Sequence, residues 1–302
     1  MEKADMIYDL SLIWSTVKDI FPYFDRLPFD WDERYRTFLE KILSTVDERD
    51  FHNQLSEFMA GLNDGHTKYI PPAEFREKNT SSRPEAPSFN FDNGTLTIRI
   101  NEFLSDHSAW VKELLETNPD TTLVRLDIRD NIGGNTFYAV NIAKLFISGV
   151  FHGCQKWTQL HRAIDDASAS QIAGFDEARL LKYKEDGLLD EKEIADAQKL
   201  INHTQFEYYT DSHGAEDNVA VYKGPMELLI SRNTVSAAED FTAMFKSNHR
   251  ATLIGEPTFG STGTPYMIKL RCGGRAQVVS VGYRLLDGTE FIGKGIDPDI
   301  LK

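Results

Sequence analysis

The first 60 residues carry hydrophobic positions at helical spacing. The segment "LSLIWSTVKDIFPYF" places Leu10, Ile13, Trp14, Val17 and Ile20 on one face. The segments "DWDERYRTFLEKILSTV" and "DFHNQLSEFMAGL" repeat this spacing, and the first of them opens with an acidic turn suited to a helix N-terminus. We therefore predict a helical N-terminal subdomain over residues 1–75.

The pattern changes after a polar stretch, "REKNTSSRPEAPS", which we interpret as a linker over residues 76–88. Strand-like segments then alternate with helical ones: "GTLTIRI", "DHSAWVKELLETN", "TTLVRLDIR", "NTFYAVNIAKLFI", "MELLISR" and "SAAEDFTAMFKSN". Further strands are predicted at "ATLIGE", "YMIKL" and "AQVVSVGYRLL". This order predicts an α/β core over residues 89–302, built from βαβ units with right-handed crossovers.

Residues 151–218 interrupt the alternation. From Asp165 to Asp217 there are 14 acidic residues and 5 Lys or Arg, with helical patterns such as "LLDEKEIADAQKLI". A lid over a site would fit this stretch, but a charge run is usually a solvated face. We interpret it as an acidic helical insertion.

Charge and composition exclude several classes of function. The net charge of −14 and pI near 5.0 argue against nucleic acid or an anionic membrane as a partner. Cys154 and Cys272 form neither a disulfide framework nor a metal motif. The acidic N-terminus does not resemble a signal peptide, and no apolar run is long enough for a membrane span. The expectation is a cytoplasmic protein without metal or organic cofactor.

One serine, Ser236, lies between a predicted strand and a predicted helix in "MELLISRNTVSAAEDFTAMF". Serine is a common helix cap, which gives a purely structural explanation. A helix N-terminus also presents free N–H groups and a positive dipole end, which suit a developing oxyanion. Ser236 is thus either a cap or a nucleophile, with the N–H of Ala237 beside it.

A second strand-end turn contains the consecutive glycines Gly133 and Gly134 in "LVRLDIRDNIGGNTF". Consecutive glycines let the backbone approach a ligand and direct N–H groups at it. Ligands bind at the carboxyl ends of strands in open α/β sheets. A turn with a hydroxyl and a turn with free N–H groups together are what acyl transfer needs.

A nucleophilic serine requires a base and an acid that orients the base. Among eight histidines, His66 stands out because it lies in a turn, "LNDGHTKYIPP", just after a helix stop. Glu290, in "DGTEFIGKGIDPDI", precedes a tight turn near the C-terminus. Taken alone, His66 could be an ordinary turn histidine and Glu290 one acid among many.

Four segments in this order resemble the tail-specific, or C-terminal processing, serine peptidases: "LNDGHTKYI", "LVRLDIRDNIGGN", "PMELLISRNTVSAAEDFTAMF" with "ATLIGEPTFGSTG", and "DGTEFIGKGIDPDI". The closer likeness is to the branch that contains the tricorn protease core. The resemblance implies a ClpP/crotonase-like core with Ser236 as nucleophile, His66 as base and Glu290 positioning His66. It also implies an oxyanion hole from the N–H groups of Gly133 or Gly134 and of Ala237.

The chain departs from the family pattern at three places. Ser261, in "GEPTFGSTG", stands where the processing branch has its lysine base, so a Ser–Lys dyad is not expected. Gly65 stands where the tricorn-like tetrad has a serine, which leaves open whether Thr67 supplies that hydroxyl. The linker 76–88 is too short for the family's PDZ domain.

The resulting hypothesis is a serine endopeptidase or oligopeptidase that acts on peptides or unfolded protein segments. The alternative is a non-catalytic ligand- or peptide-binding module on the same fold, as in the retinoid-binding repeats of the eye. A crotonase-like acyl-CoA enzyme has weaker support, because fold does not establish function. Substrate sequence and homo-oligomer formation stay open.

Overall fold

A computed structural model describes residues 1–76, 84–159, 182, 184–187, 191, 206–263 and 265–302. Its longer helices are α1 (Lys3–Ile20), α2 (Trp31–Ser44), α3 (Glu48–Ala60), α4 (Ser108–Thr117), α5 (Thr136–Ala143) and α6 (Ala237–Ser247). Its strands are β1 (Lys68–Ile70), β2 (Ser88–Asp92), β3 (Thr95–Arg99), β4 (Leu123–Asp127), β5 (Val150–Gln159), β6 (Phe206–Gly214), β7 (Met226–Ile230), β8 (Thr252–Gly255), β9 (Pro265–Lys269), β10 (Arg275–Val279), β11 (Val281–Arg284) and β12 (Ile300–Leu301).

A six-stranded sheet forms the centre of the core, in the order β12-β8-β7-β4-β3-β2. Its strands run parallel except for β2, which pairs antiparallel with β3 at the edge. Alternate residues such as Ile98, Leu126 and Leu228 are fully buried in a hydrophobic cluster that also contains residues of α5 and α6. The α/β fold class predicted from the strand–helix alternation is confirmed.

The N-terminal helices form a second hydrophobic core. Asp30 caps the N-terminus of α2, where its carboxylate accepts hydrogen bonds from the N–H groups of Asp32 and Glu33. Trp31 stacks on Phe58 of α3 with ring centroids 4.5 Å apart. These helices pack against a three-stranded sheet in the order β1-β10-β9, so the helical subdomain shares its core with C-terminal strands.

A third sheet, in the order β11-β5-β6, includes both ends of the predicted insertion at residues 151–218. The prediction of helical structure is wrong at these two ends. β5 and β6 form the ends of that stretch and pair antiparallel, where a helical excursion was expected. Their polar side chains concealed a strand pattern from the sequence. Most of the predicted helical segments between them, and linker residues 77–83, lie outside the described residues.

Trp157 on β5 connects the third sheet to the helical subdomain. Its indole N–H donates to the carbonyl of Pro22 at 3.2 Å, and its ring packs edge-to-face with that of Tyr23, with centroids 5.6 Å apart.

Within the described residues, no helix has both the length and the apolar character required to cross a membrane.

Candidate active site

The two strand-end turns singled out in the sequence meet because β4 and β7 are parallel neighbours. A Cβ atom added to Gly133 would lie 2.5 Å from the carbonyl oxygen of Val235 and 2.7 Å from Cβ of Ser236. Gly133 also has a φ of 83°, which side chains disfavour. Glycine is therefore required at 133 for the first turn to approach the serine turn.

Ser236 adopts a backbone conformation that residues other than glycine rarely occupy. Its φ is 61° and its ψ is −127°, directly before α6 begins at Ala237. Such a conformation costs about 1–3 kcal/mol and persists only where surrounding contacts enforce it. Here the N–H of Ser236 donates to the carbonyl of Ser261 at 3.0 Å, which fixes the turn.

The predicted oxyanion donors differ in their availability. The N–H of Gly133 already donates to Oδ1 of the buried Asn131 at 2.8 Å. Within the described part of the chain, the N–H groups of Gly134 and Ala237 have no hydrogen-bond acceptor. Of the three candidates, Gly134 and Ala237 are therefore the two with an N–H group available to an anion. Ala237 is also the first residue of α6, where the positive end of the helix dipole lies.

His66 lies beside Ser236, although the two residues come from different parts of the chain. Nε2 of His66 is 3.1 Å from Oγ of Ser236. Burial lowers the pKa of His66 below its ordinary value, and the Coulombic attraction of Asp64 offsets part of that effect. The imidazole is consequently neutral at pH 7 and able to accept a proton.

A second hydroxyl, that of Ser261, contacts the other nitrogen of the imidazole. Nδ1 of His66 is 2.5 Å from Oγ of Ser261, which in turn donates to Oδ1 of Asp64 at 3.2 Å. Ser261 and Asp64 are both buried. Since the Ser261 hydroxyl donates to the carboxylate, it accepts from Nδ1–H, which leaves Nε2 of a neutral His66 free to act as a base.

The position of Ser261 explains why residue 65 is glycine. A Cβ atom at Gly65 would lie 2.9 Å from Oγ of Ser261 and 2.7 Å from Cε1 of Phe259. The hydroxyl that contacts His66 therefore comes from the opposite loop, and it occupies the space that a side chain at 65 would need. Thr67 does not supply this hydroxyl, because its Oγ1 donates to Oδ2 of Asp64 at 2.7 Å.

Glu290 does not contact His66, so the orienting role predicted for it requires correction. Its carboxylate forms an ion pair with Arg26 of the helical subdomain at 2.7 Å, and its side chain is 39% exposed. The turn after Glu290 returns the chain towards Gly260, while the glutamate itself faces the helices. The carboxylate that reaches the imidazole network is Asp64, two residues before His66.

Two acids on the first turn of α6, Glu239 and Asp240, connect the loops of the site, and no role was predicted for either from the sequence. Glu239 is fully buried and accepts from the hydroxyl of Thr258 at 2.6 Å and from the N–H groups of Gly260 and Ser261 at 2.7 Å each. Burial raises its pKa to about 7, against the opposing effect of these hydrogen bonds. The Ser-x-x-Glu spacing of a capping box could have indicated Glu239.

Asp240 connects two further loops of the site. Its carboxylate accepts from the hydroxyls of Thr136 at 2.7 Å and Thr262 at 2.8 Å. Burial raises its pKa above the ordinary value.

Among the residues that the structure describes, no group of His, Cys, Asp and Glu side chains is arranged to hold a metal ion.

Comparisons with known proteins identify the family and the fold of this chain. The family model described as "Peptidase family S41" matches residues 94–301, more than half of the chain. A curated relative, carboxyl-terminal-processing peptidase 2 of Arabidopsis thaliana, is 23% identical over 204 residues, which cover 67% of this chain and 30% of that protein. The chain spans 25% to 34% of the length of the curated relatives it matches.

Solved structures show the same fold over nearly the whole chain. A peptidase structure from Parabacteroides merdae has a TM-score of 0.71 and 17% identity, covering 100% of this chain and 90% of that one. The photosystem II D1 C-terminal processing protease has a TM-score of 0.55 and 14% identity, covering 98% and 92%. Assignment to the tricorn-like branch and the absence of a PDZ domain stay predictions. From the match to its family model, the chain belongs to peptidase family S41.

Proposed function

We propose that this chain is a serine peptidase that cleaves peptides or unfolded protein segments through an acyl-enzyme on Ser236. The observation that carries the proposal is the 3.1 Å contact between Nε2 of His66 and Oγ of Ser236. Family membership supports the reaction class. The strained backbone at Ser236 also supports it, because such conformations cluster at functional sites.

In the proposed reaction, Nε2 of His66 accepts the hydroxyl proton while Oγ of Ser236 attacks the scissile carbonyl carbon. The resulting oxyanion accepts hydrogen bonds from the N–H groups of Gly134 and Ala237. Each such donor lowers the barrier by about 3 kcal/mol. The tetrahedral intermediate collapses, the peptide C–N bond breaks, and His66 gives its proton to the leaving amine. Water then hydrolyses the ester by the same steps.

Ser261 and Asp64 act in this scheme as positioning residues. The Ser261 hydroxyl holds Nδ1–H, which fixes the tautomer and the orientation of the ring. When His66 becomes an imidazolium, the carboxylate of Asp64 stabilises its charge through the intervening hydroxyl. Glu290 has no part in this step.

The experiment compares labelling by a fluorophosphonate probe in the wild type, Ser236→Ala and His66→Ala. We expect label on Ser236 alone, none on Ser236→Ala, and a rate at least about 100-fold lower for His66→Ala. Ser44→Ala, on the exposed end of α2, and His152→Ala, at an exposed position of β5, are matched controls that should label normally. A folded wild type that takes no label would contradict the proposal and favour a non-catalytic binding module.

The dependence of the labelling rate on pH gives an independent check on His66. Because burial lowers its pKa, the imidazole stays neutral down to a pH below the unperturbed value of about 6.5. The rate should therefore fall with decreasing pH only below about 6.5. An acid limb well above that value would indicate that another group is the base.

A further inference from the structure

Two grooves lie beside the loops that carry His66 and Ser236, and their linings include the chain neighbours Gly65 and Val235 of these two residues. The first, which we call the Val235 groove, has a volume of 670 Å³ and is lined by Ile132, Val235, Phe259 and the Arg99–Asp130 pair, among others. The second, which we call the Gly65 groove, has a volume of 360 Å³ and is lined by Asp64, Gly65, Thr67, Phe259 and Gly260, among others. Phe259 is the residue that lines both grooves.

Phe259 is held in place between the two loops of the site. Its N–H donates to the carbonyl of Thr234 at 3.0 Å, which ties it to the serine turn. Its ring edge lies where a side chain on residue 65 would be, since Cε1 is 2.7 Å from the point that a Cβ atom would occupy there. The ring is nevertheless 49% exposed, so a bound chain can contact it.

The direction of a bound peptide follows from the chemistry of the two turns. His66 must deliver its proton to the leaving amine, so the leaving side of the peptide lies next to the loop of His66, in the Gly65 groove. The acyl side then lies along the serine turn and the glycine turn, in the Val235 groove. Val235 and Ile132 directly precede Ser236 and Gly133 in the chain.

The two grooves differ in size and chemistry. Ile132 is 52% exposed and, with Val235 and Phe259, gives the Val235 groove an apolar wall. The charges of Arg99 and Asp130 in this groove neutralise each other in an ion pair, and the other two charged lining residues, Glu85 and Arg232, have opposite signs. The Gly65 groove is about half as large and is formed in part by the glycines 65, 260 and 293 and by Thr67.

We propose that Phe259 is a specificity-determining residue, a partition between the acyl-side and leaving-side grooves. It makes the enzyme select a large apolar residue before the scissile bond and a small residue after it. This inference rests on the proposed peptidase function of Ser236. It concerns substrate choice, whereas the labelling experiment concerns the nucleophile.

The test is a cleavage-site profile on a defined mixture of synthetic peptides, read by mass spectrometry, for the wild type and Phe259→Ala. We expect the wild type to favour Leu, Met or Phe before the cut and Gly, Ala or Ser after it. In Phe259→Ala, kcat/KM for these substrates should fall about tenfold through loss of apolar contact. Peptides with a large residue after the cut should gain relative to the rest. Phe259→Leu should retain most of the wild-type preference.

Two further variants keep the test specific. Ile132→Ala should weaken only the preference before the cut, because Ile132 lines the Val235 groove and not the Gly65 groove. Phe89→Ala, a phenylalanine of similar exposure on the edge strand β2, should leave the profile unchanged.

The outcomes separate the two proposals. If Phe259→Ala labels with fluorophosphonate at the wild-type rate and its profile shifts as described, the partition stands. If it labels normally and its profile equals that of the wild type and Phe89→Ala, the partition is overturned while the peptidase proposal survives. If the folded wild type neither labels nor cleaves any peptide, both proposals are overturned.

Discussion

At the residue scale, the candidate site places a hydroxyl between an imidazole and a carboxylate. A direct histidine–carboxylate contact would be charge-assisted in the resting enzyme, whereas His66 donates to the neutral Oγ of Ser261. The carboxylate of Asp64 polarises that hydroxyl and also accepts from the backbone N–H of His66 at 3.1 Å. The carboxylate of Asp64 thereby contacts His66 twice, directly at its backbone N–H and through Ser261 at its imidazole ring.

The first prediction at this scale concerns Ser261→Ala, which removes the acceptor of Nδ1–H. The fluorophosphonate labelling rate should fall by about 10- to 100-fold, because the ring loses its preferred tautomer and orientation. Partial recovery in Ser261→Thr would separate loss of the hydroxyl from damage to folding. Labelling of Ser261→Ala at the wild-type rate would contradict the positioning role.

The contacts from His66 through Ser261 to Asp64 also predict that Asp64→Asn changes the pH dependence of the labelling rate. The Coulombic effect of Asp64 raises the pKa of His66 against burial, so removal of that charge should lower the pKa further. The acid limb of the labelling rate should therefore move to lower pH, while the maximal rate falls. A limb that moves to higher pH would exclude Asp64 as the relevant carboxylate.

At the element scale, the first turn of α6 assembles the site. Glu239 receives donors from the loop that contains Gly260 and Ser261, and Asp240 receives donors from the start of α5 and from Thr262. Both side chains are buried, yet their donors differ in kind. Three of those of Glu239, from Ser236, Gly260 and Ser261, are backbone N–H groups in fixed positions, whereas those of Asp240 are hydroxyls that can rotate.

This difference predicts opposite outcomes for two neighbouring isosteric substitutions. In Glu239→Gln, either orientation of the amide points its NH₂ at a backbone N–H, so the free energy of unfolding should fall by about 2 kcal/mol or more. In Asp240→Asn, a threonine hydroxyl can turn to accept from the NH₂, and the change should stay within about 1 kcal/mol. Urea unfolding of both variants measures this contrast, and equal losses would contradict the assignment.

Element prediction from the sequence succeeded where local pattern and tertiary pairing agree. β3, β4, β7 and α4 to α6 follow from alternating or helical spacing around buried residues such as Leu126 and Phe241. β2 was missed because all five of its residues are exposed at the sheet edge. β1 was missed because it is three residues long and pairs with β10, about 200 positions later in the chain. Such pairings leave no local signal.

At the scale of the whole molecule, the candidate base His66 and the candidate nucleophile Ser236 lie beside different hydrophobic cores. His66 follows α3 and precedes β1, next to the helical core, whereas Ser236 lies between β7 of the central sheet and α6. The sequence placed both residues in turns and the family resemblance paired them. The structure brings Asp64 and not Glu290 to the imidazole network, because the packing of the two cores decides which of many carboxylates lies near His66.

The ion pair between Glu290 and Arg26 provides the prediction at this scale. Both side chains are partly exposed, and surface pairs of this kind contribute about 0–1 kcal/mol. Glu290→Gln should therefore change the unfolding free energy by less than about 1 kcal/mol and leave the labelling rate within about twofold of wild type. A loss of about 100-fold or more in labelling would restore Glu290 as part of the catalytic arrangement.

The backbone at Ser236 has a consequence for how this chain could evolve. Glycine would occupy that φ without strain, and it is also an acceptable helix cap, so it would lower the free energy of the fold. A lineage that no longer used the hydroxyl would gain stability by drifting to glycine there. Under the proposed function, the need for the Ser236 oxygen explains why serine rather than glycine occupies this strained position.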